Sequence, residues 1–221
     1  NTDDPISKQI KQKIEKENGK YFCNDNIAKY FKRDNVTLCL MGEGAGRQGT
    51  FHESINLAAL WQLPVIYIIE NNGYAMGTSV SRSTTQVELW KHGDSYGIHS
   101  LSVDGMNPVK VAESVDKCIS HARKGNGPSL VEAKTYRYRG HSMSDPAKYR
   151  TREEVQKIRE EKDPIDDIKS LLIKSKIYLE SEIKELDDKI RKDINVDSEL
   201  ALEAEFPSRE NLFEDVLVLK E

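Results

Sequence analysis

Residues Val36 to Tyr74 read VTLCLMGEGAGRQGTFHESINLAALWQLPVIYIIENNGY, and the rest of the chain is organised around them. The apolar run Val36 to Met41 is too short for a helix and suits a fully buried strand. Gly42-Glu43-Gly44-Ala45-Gly46 then makes a tight turn with little side-chain bulk. Phe51 to Trp61 reads as a helix whose apolar residues occupy more than one face, so cover on two sides is expected. Pro64 breaks that pattern, and Val65 to Ile69 is a second buried strand ending at Glu70-Asn71-Asn72-Gly73. Strand, helix and strand at this spacing make a parallel crossover unit.

Ligands of open α/β sheets bind beyond the carboxyl ends of the strands, and a right-handed crossover brings Glu43 and Asn72 to that one edge. Glycines beside a helix start usually point to phosphate, because free backbone N–H groups there attract anions. A carboxylate in the same turn repels phosphate unless a divalent cation stands between them. Mg²⁺ takes one or two hard oxygen ligands from protein and completes its octahedron with phosphates and water. The Glu43 carboxylate and the Asn72 amide oxygen meet that demand, so the residues read as a magnesium-bridged diphosphate site. Taken singly, a Gly-rich turn and an Asn-Gly pair are ordinary turn chemistry; placed at the two ends of one crossover they favour metal and diphosphate.

An acid between glycines, followed after the next strand by Asn-Asn, resembles the thiamine diphosphate motif. The further wording GEGAGRQGTFHE, NLAALWQLPV, ENNGYAMGTSV, VDGMNP and TYRYRGHSMSDPAKYRTREEV narrows the resemblance. It is similar to the alpha subunits of the decarboxylating component of pyruvate dehydrogenase complexes in their two-chain form, from about Ala28 onward. The resemblance implies thiamine diphosphate and Mg²⁺ as cofactors, with Glu43, Asn72 and the Tyr74 carbonyl on the metal. It implies Gly44 and Ala45 N–H groups on the diphosphate and His141 as the catalytic residue on the substrate side. Glutamate at position 43, where pyruvate-type relatives more often carry aspartate, keeps the same oxygen chemistry. The implied partners are a beta subunit in an α₂β₂ heterotetramer, supplying the glutamate that activates the aminopyrimidine, and a lipoyl-bearing acyltransferase. The implied substrate is pyruvate, with acetoin or branched-chain 2-oxo acids as alternatives. Ser142 matches a serine that mitochondrial relatives phosphorylate. A second regulatory serine is missing, because Pro146 is followed by Ala147-Lys148-Tyr149. Upstream of Ala28 the family carries a Gly-rich loop near the aminopyrimidine and a Tyr-Arg pair on the diphosphate. Residues 1–27 hold neither, so an incomplete site, or a non-catalytic interaction subunit, is the competing expectation.

At 221 residues the chain suffices for one sizeable α/β core. A net charge of −4 and pI near 5.8 give no electrostatic case for nucleic acid or an anionic membrane. No apolar run approaches a membrane span. The first residues show neither a secretory nor an Arg-rich presequence. Cys23, Cys39 and Cys118 form no CxxC pair, so a reducing compartment is expected, either bacterial cytoplasm or organelle matrix. A dinucleotide-binding reading fails on spacing: Arg47 stands where GxGxxG needs its third glycine.

The chain divides into a polar, mobile segment over 1–35 with a short helix at Ile6 to Glu17, an α/β domain over 36–150, and a helical extension and tail over 151–221. The fold class is α/β: a mostly parallel sheet with helices on both faces, plus C-terminal helices. Ser83 to Leu89 carries a helical turn and Leu101 to Val103 a strand. Asn107-Pro108 starts a helix that Gly125 stops, and Ser129 to Tyr136 is the next strand. Tyr138 to Arg150 is a polar loop carrying His141 and Ser142. Thr151-Arg152-Glu153-Glu154 reads as a capping box, and Asp163-Pro164 starts another helix. Ile183, Leu186 and Ile190 mark a last one. His52, His92, His99 and His121 carry no metal spacing.

Overall fold

The computed structural model describes residues 34–214. The segment over 1–35, its helix at Ile6 to Glu17, and the end of the tail therefore lie almost wholly outside the described residues. The described part forms two compact units, the first ending at Asp167 and the second beginning at Ile168.

The first unit is built on four parallel strands, β1 (Thr37–Gly42), β2 (Val65–Asn71), β5 (His99–Asp104) and β6 (Ser129–Lys134), in the order β1-β2-β6-β5. The interrupted order comes from connections that carry helices to the two faces, as expected of a doubly wound sheet. Helix α1 (Gly49–Trp61) covers one face through Phe51, Ile55 and Ala58, packing with Val65, Tyr67, Ile69 and Leu130. Helix α3 (Pro108–Arg123) covers the other, where Cys118 sits with Ile66, Ile68, Val103 and Val131. Ile66 and Ile69 are fully buried on opposite faces of β2, each burial contributing about 1.5–3 kcal/mol.

Local chemistry explains the boundaries. The Gln62 backbone turns left-handed at φ 50° after α1, and Pro64 prevents the helix from resuming. Asn107 caps α3, its side-chain oxygen accepting from Lys110 N–H at 3.0 Å, with Pro108 in the first turn. Gly125 follows the helix at φ +78°.

Two strand-and-helix expectations need correction. The β1 strand is not fully buried: it lies at the sheet edge, beyond the reach of α3, and leaves Leu38 and Leu40 at 44% and 59% exposure. Helix α1 is covered on one side only among the described residues, with Leu57 and Leu60 exposed. Smaller shifts follow elsewhere. Between β2 and β5 the chain forms a two-stranded hairpin of β3 (Tyr74–Ala75) and β4 (Thr78–Ser79), then the short helix α2 (Val80–Ser83) and a 3₁₀ run over Leu89–Tyr96. The expected turn over Ser83 to Leu89 is thus flanked by helical turns, not occupied by one.

Helix α4 (Arg152–Lys162) begins at Thr151, whose hydroxyl accepts from Glu154 N–H at 3.1 Å. The reciprocal half of the capping box is absent, because the Glu154 carboxylate accepts from the Tyr136 hydroxyl at 2.7 Å. Helix α5 (Pro164–Lys174) starts with Asp163 accepting from Ile165 N–H at 2.9 Å. In the second unit α6 (Glu180–Glu203) carries Leu186, Ile190 and Ile194 on exposed positions. No helix of the described residues is long and apolar enough to cross a membrane.

Candidate functional site

Register places the site. Gly42 pairs with Glu70, and Asn71 and Asp104 both pair with Lys134. The segments leaving β1, β2, β5 and β6 therefore emerge at one edge, which is where an open parallel sheet binds ligands. Glu43 follows β1 directly and Asn72 follows β2 directly.

The two side chains meet. Asn72 donates to Glu43 Oε2 through both its backbone N–H and its Nδ2, each at 3.3 Å. Glu43 is only 2% exposed, and among the described residues no cation forms an ion pair with it. A buried carboxylate held by two long, neutral hydrogen bonds lacks compensation for its charge. The donor set thus fits a hard divalent cation. The turn between them is closely cradled: a Cβ on Gly44 would stand 2.9 Å from Ala75 Cβ, so only glycine lets β1's turn approach the β3 hairpin.

The neighbouring asparagine has a different task. Asn71 Nδ2 donates at 2.6 Å to Glu132, a fully buried carboxylate of β6 that also accepts from Trp90 N–H at 3.2 Å. Asn71 Oδ1 accepts from Gly73 N–H at 2.9 Å, and Gly73 adopts φ +88°. This chain of bonds fixes the turn that presents Asn72, whose own Oδ1 accepts from Tyr74 N–H at 3.3 Å.

Two arginines hold the same loop from outside. Arg137 donates to the carbonyls of Tyr74 at 3.2 Å and Met76 at 2.7 Å, and to the Tyr149 hydroxyl at 2.6 Å. Arg150 donates to the carbonyls of Asn72 and Arg137. Its guanidinium lies 4.9 Å from the Tyr74 ring centre and 4.2 Å from that of Tyr136, a cation–π arrangement. Tyr74 and Tyr149 stack at 4.7 Å. The Tyr74 carbonyl that the resemblance assigns to the metal thus already accepts from a guanidinium; its second lone pair is still available.

His141 and Ser142 lie on the exposed loop between β6 and α4. The structure does not bring the His141 ring into a hydrogen bond with Glu43 or Asn72. It ties the loop down through Asp145, whose Oδ2 accepts from His141 N–H and from the Tyr149 hydroxyl, both at 2.7 Å. Those bonds, with Ala147 N–H, pull the Asp145 carboxyl down to about 2. Gly140 is required beside it, since any Cβ there would lie 2.4 Å from Asp145 O. The Ser142 hydroxyl is 3.0 Å from that of Ser144. Burial, and the bond donated to Glu154, push the Tyr136 hydroxyl up to about 12.

Glu43, Gly44, Ala45, Asn72 and Tyr74 therefore fall together, and His141 is linked to them through Asp145, Tyr149 and Tyr74. Sequence reading missed Asn71, Glu132, Arg137 and Arg150. The alternation of Tyr and Arg through Tyr136-Arg137-Tyr138-Arg139 and Tyr149-Arg150 is the one signal that marks the two arginines.

The family described as dehydrogenase E1 component matches residues 24–210. The chain is 47% identical over 190 residues to the pyruvate dehydrogenase E1 component subunit alpha of Rhizobium meliloti (strain 1021), covering 86% of this chain and 55% of that one. It is 43% identical over 192 residues to the namesake of Zymomonas mobilis, covering 87% and 54%. It is 43% identical over 189 residues to the mitochondrial subunit of Dictyostelium discoideum, covering 85% and 50%. The chain spans about half the length of these curated relatives. With the family match extending across its whole α/β core, the chain belongs to the dehydrogenase E1 component family.

Proposed function

We propose that this chain supplies the metal and diphosphate half of the cofactor site in the alpha subunit of a pyruvate dehydrogenase. The uncompensated Glu43 carboxylate, buried against Asn72 at the end of two parallel strands, carries this reading. Mg²⁺ would be held by Glu43, by the Asn72 amide oxygen and by the Tyr74 carbonyl, with Gly44 and Ala45 N–H groups toward the diphosphate. Asn72 now points its amide nitrogen at Glu43; half a turn about its last torsion exchanges nitrogen for oxygen and gives up two long bonds, Nδ2 to Glu43 Oε2 and Tyr74 N–H to Oδ1, each at 3.3 Å. With two oxygens facing each other, a cation between them is required. Arg137 and Arg150 keep the Asn72 and Tyr74 carbonyls in place.

Thiamine diphosphate, when bound, supplies the electron sink that accepts the carbanion left by loss of CO₂ from pyruvate. His141 would donate a hydrogen bond on the substrate side. The loop bearing it is ordered by Asp145 and Tyr149, and Ser142 beside it is the position at which phosphorylation would add close to two negative charges. A beta subunit would complete the site in an α₂β₂ assembly and a lipoyl-bearing acyltransferase would take the acetyl group. Work would then proceed in a bacterial cytoplasm or an organelle matrix.

Two measurements test this. Thiamine diphosphate is titrated calorimetrically against the chain assembled with its beta partner, with and without Mg²⁺, in the wild type and Asn72→Ala. The expected result is Mg²⁺-dependent binding that Asn72→Ala weakens at least tenfold; unchanged affinity in the variant argues against the metal assignment. Pyruvate compared with branched 2-oxo acids in the same assembly fixes the substrate class.

A further inference from the structure

A second cationic feature lies apart from the Glu43 turn. The loop after β6 and the first turns of α4 form a half-open cavity of about 490 Å³. Arg137, Arg139, Lys148, Arg150, Arg152 and Arg159 line it, and no carboxylate does. None of Glu43, Gly44, Ala45 or Asn72 belongs to its wall.

These charges are not all in use. Arg150 spends its N–H groups on two carbonyls, and Arg159 lies 5.7 Å from the Tyr138 ring centre. Arg139, Lys148 and Arg152 make no ion pair among the described residues. Arg137 donates through Nη1 and Nη2 to two carbonyls and the Tyr149 hydroxyl. Two carboxylates of these segments are committed elsewhere: Glu154 accepts from Tyr136, and Asp145 from His141 N–H, Ala147 N–H and Tyr149.

The geometry points to an anion site for the phosphate or diphosphate group of a small metabolite, held between the His141 loop and the start of α4. Guanidinium groups present paired donors that match phosphate oxygens, so several converging arginines favour phosphate over a lone carboxylate. The eleven-residue helix α4 adds a favourable dipole at the wall formed by Thr151 and Arg152. The cavity lies in the range that accommodates small-molecule ligands. Tyr138, Pro146, Ala147 and Val155 add apolar surface beside the aliphatic stems of the basic residues, which suits a ligand with an organic part next to its anionic group. Because Arg137 and Arg150 are shared with the Asn72–Tyr74 loop, an occupied cavity would also stiffen that loop.

The test is calorimetric titration of inorganic pyrophosphate into the full chain, with chelator present and Mg²⁺ absent so that the Glu43 turn cannot take a metal-bridged diphosphate. One-to-one binding that weakens as salt is raised is expected. The double variant Arg139→Gln/Lys148→Gln should weaken it at least tenfold while keeping the wild-type circular dichroism and melting temperature. Arg159→Gln, on the neighbouring helix, gives a second reading of the same wall. Glu43→Gln should leave this Mg²⁺-free binding unchanged, which separates the cavity from the cofactor site. No pyrophosphate binding, equal binding in the double variant and Arg159→Gln, or tighter binding of a hexa-aspartate peptide than of pyrophosphate would each overturn the assignment.

Discussion

Replacing Glu43 by glutamine should move two measurements in opposite directions. The carboxylate is 2% exposed and accepts two bonds from Asn72 at 3.3 Å, with no cation paired to it among the described residues. Glutamine keeps an oxygen for those bonds and removes the charge. A buried charge without a partner is costly, so the metal-free chain should become no less stable when the charge is removed. On the proposed reading the variant also removes the one charged side chain among the three metal ligands Glu43, Asn72 and Tyr74. Taking one partner from a buried charge pair costs about 3–5 kcal/mol, which corresponds to a loss of roughly two to four powers of ten in affinity. Urea denaturation with chelator present reads the first quantity. Calorimetric titration of thiamine diphosphate with Mg²⁺, in the assembly with the beta partner, reads the second. A variant that is destabilised by about 2 kcal/mol or more while retaining Mg²⁺-dependent affinity would refute the reasoning. That outcome would make Glu43 a structural acceptor, like Glu132.

The His141 loop supports two further expectations. Gly140→Ala places a methyl group 2.4 Å from Asp145 O, a backbone atom that cannot move aside, and overpacking of this kind costs about 1–3 kcal/mol. Limited proteolysis should then cut within residues 138–150 at a rate well above wild type, and an unchanged rate would count against the close approach. Asp145 has a carboxyl lowered to about 2 from an ordinary 3.8, so as pH falls the unfolded loop takes up its proton first. Its contribution to loop order is complete above about pH 3.8 and is lost as pH falls through about 2. Amide exchange at His141 and Ala147 should track that loss, whereas Asp145→Asn should exchange faster throughout and show no such transition.

The crossover from β1 to β2 was legible because its cues are local: an apolar run, clustered glycines, a helical period and a proline. So was the meeting of Glu43 with Asn72, which needs only two parallel strands in register. Burial was less legible. Leu38 and Leu40 continue an apolar run as a central strand would, and only the position of β1 at the sheet edge leaves them exposed. Leu57 and Leu60 mislead in the same way on α1. The Thr151 and Glu154 spacing promised a reciprocal cap, but Tyr136, eighteen residues before Glu154, takes the carboxylate instead. Partners chosen by tertiary packing leave no trace in a four-residue window.

The two buried carboxylates of the site carry the same lesson further, because sequence marks Glu43 by its glycine-rich turn and gives no sign that Glu132, inside a strand, is buried at the same sheet edge. Glu132 receives a 2.6 Å bond from Asn71 and a 3.2 Å bond from Trp90 N–H, one on each oxygen. Glu43 receives both of its bonds on one oxygen, at 3.3 Å, from a residue that can turn its amide over. Each carboxylate oxygen can accept more than one donor, and Glu43 Oε1 has none among the described residues. Glu132 is thereby spent on holding the Asn71–Gly73 turn, while Glu43 keeps unused acceptor capacity at the sheet edge. The Asn-Asn pair divides along the same line: the first asparagine serves the carboxylate bonded on both oxygens and fixes the loop, which leaves the second to serve the one bonded on a single oxygen and any cation it attracts.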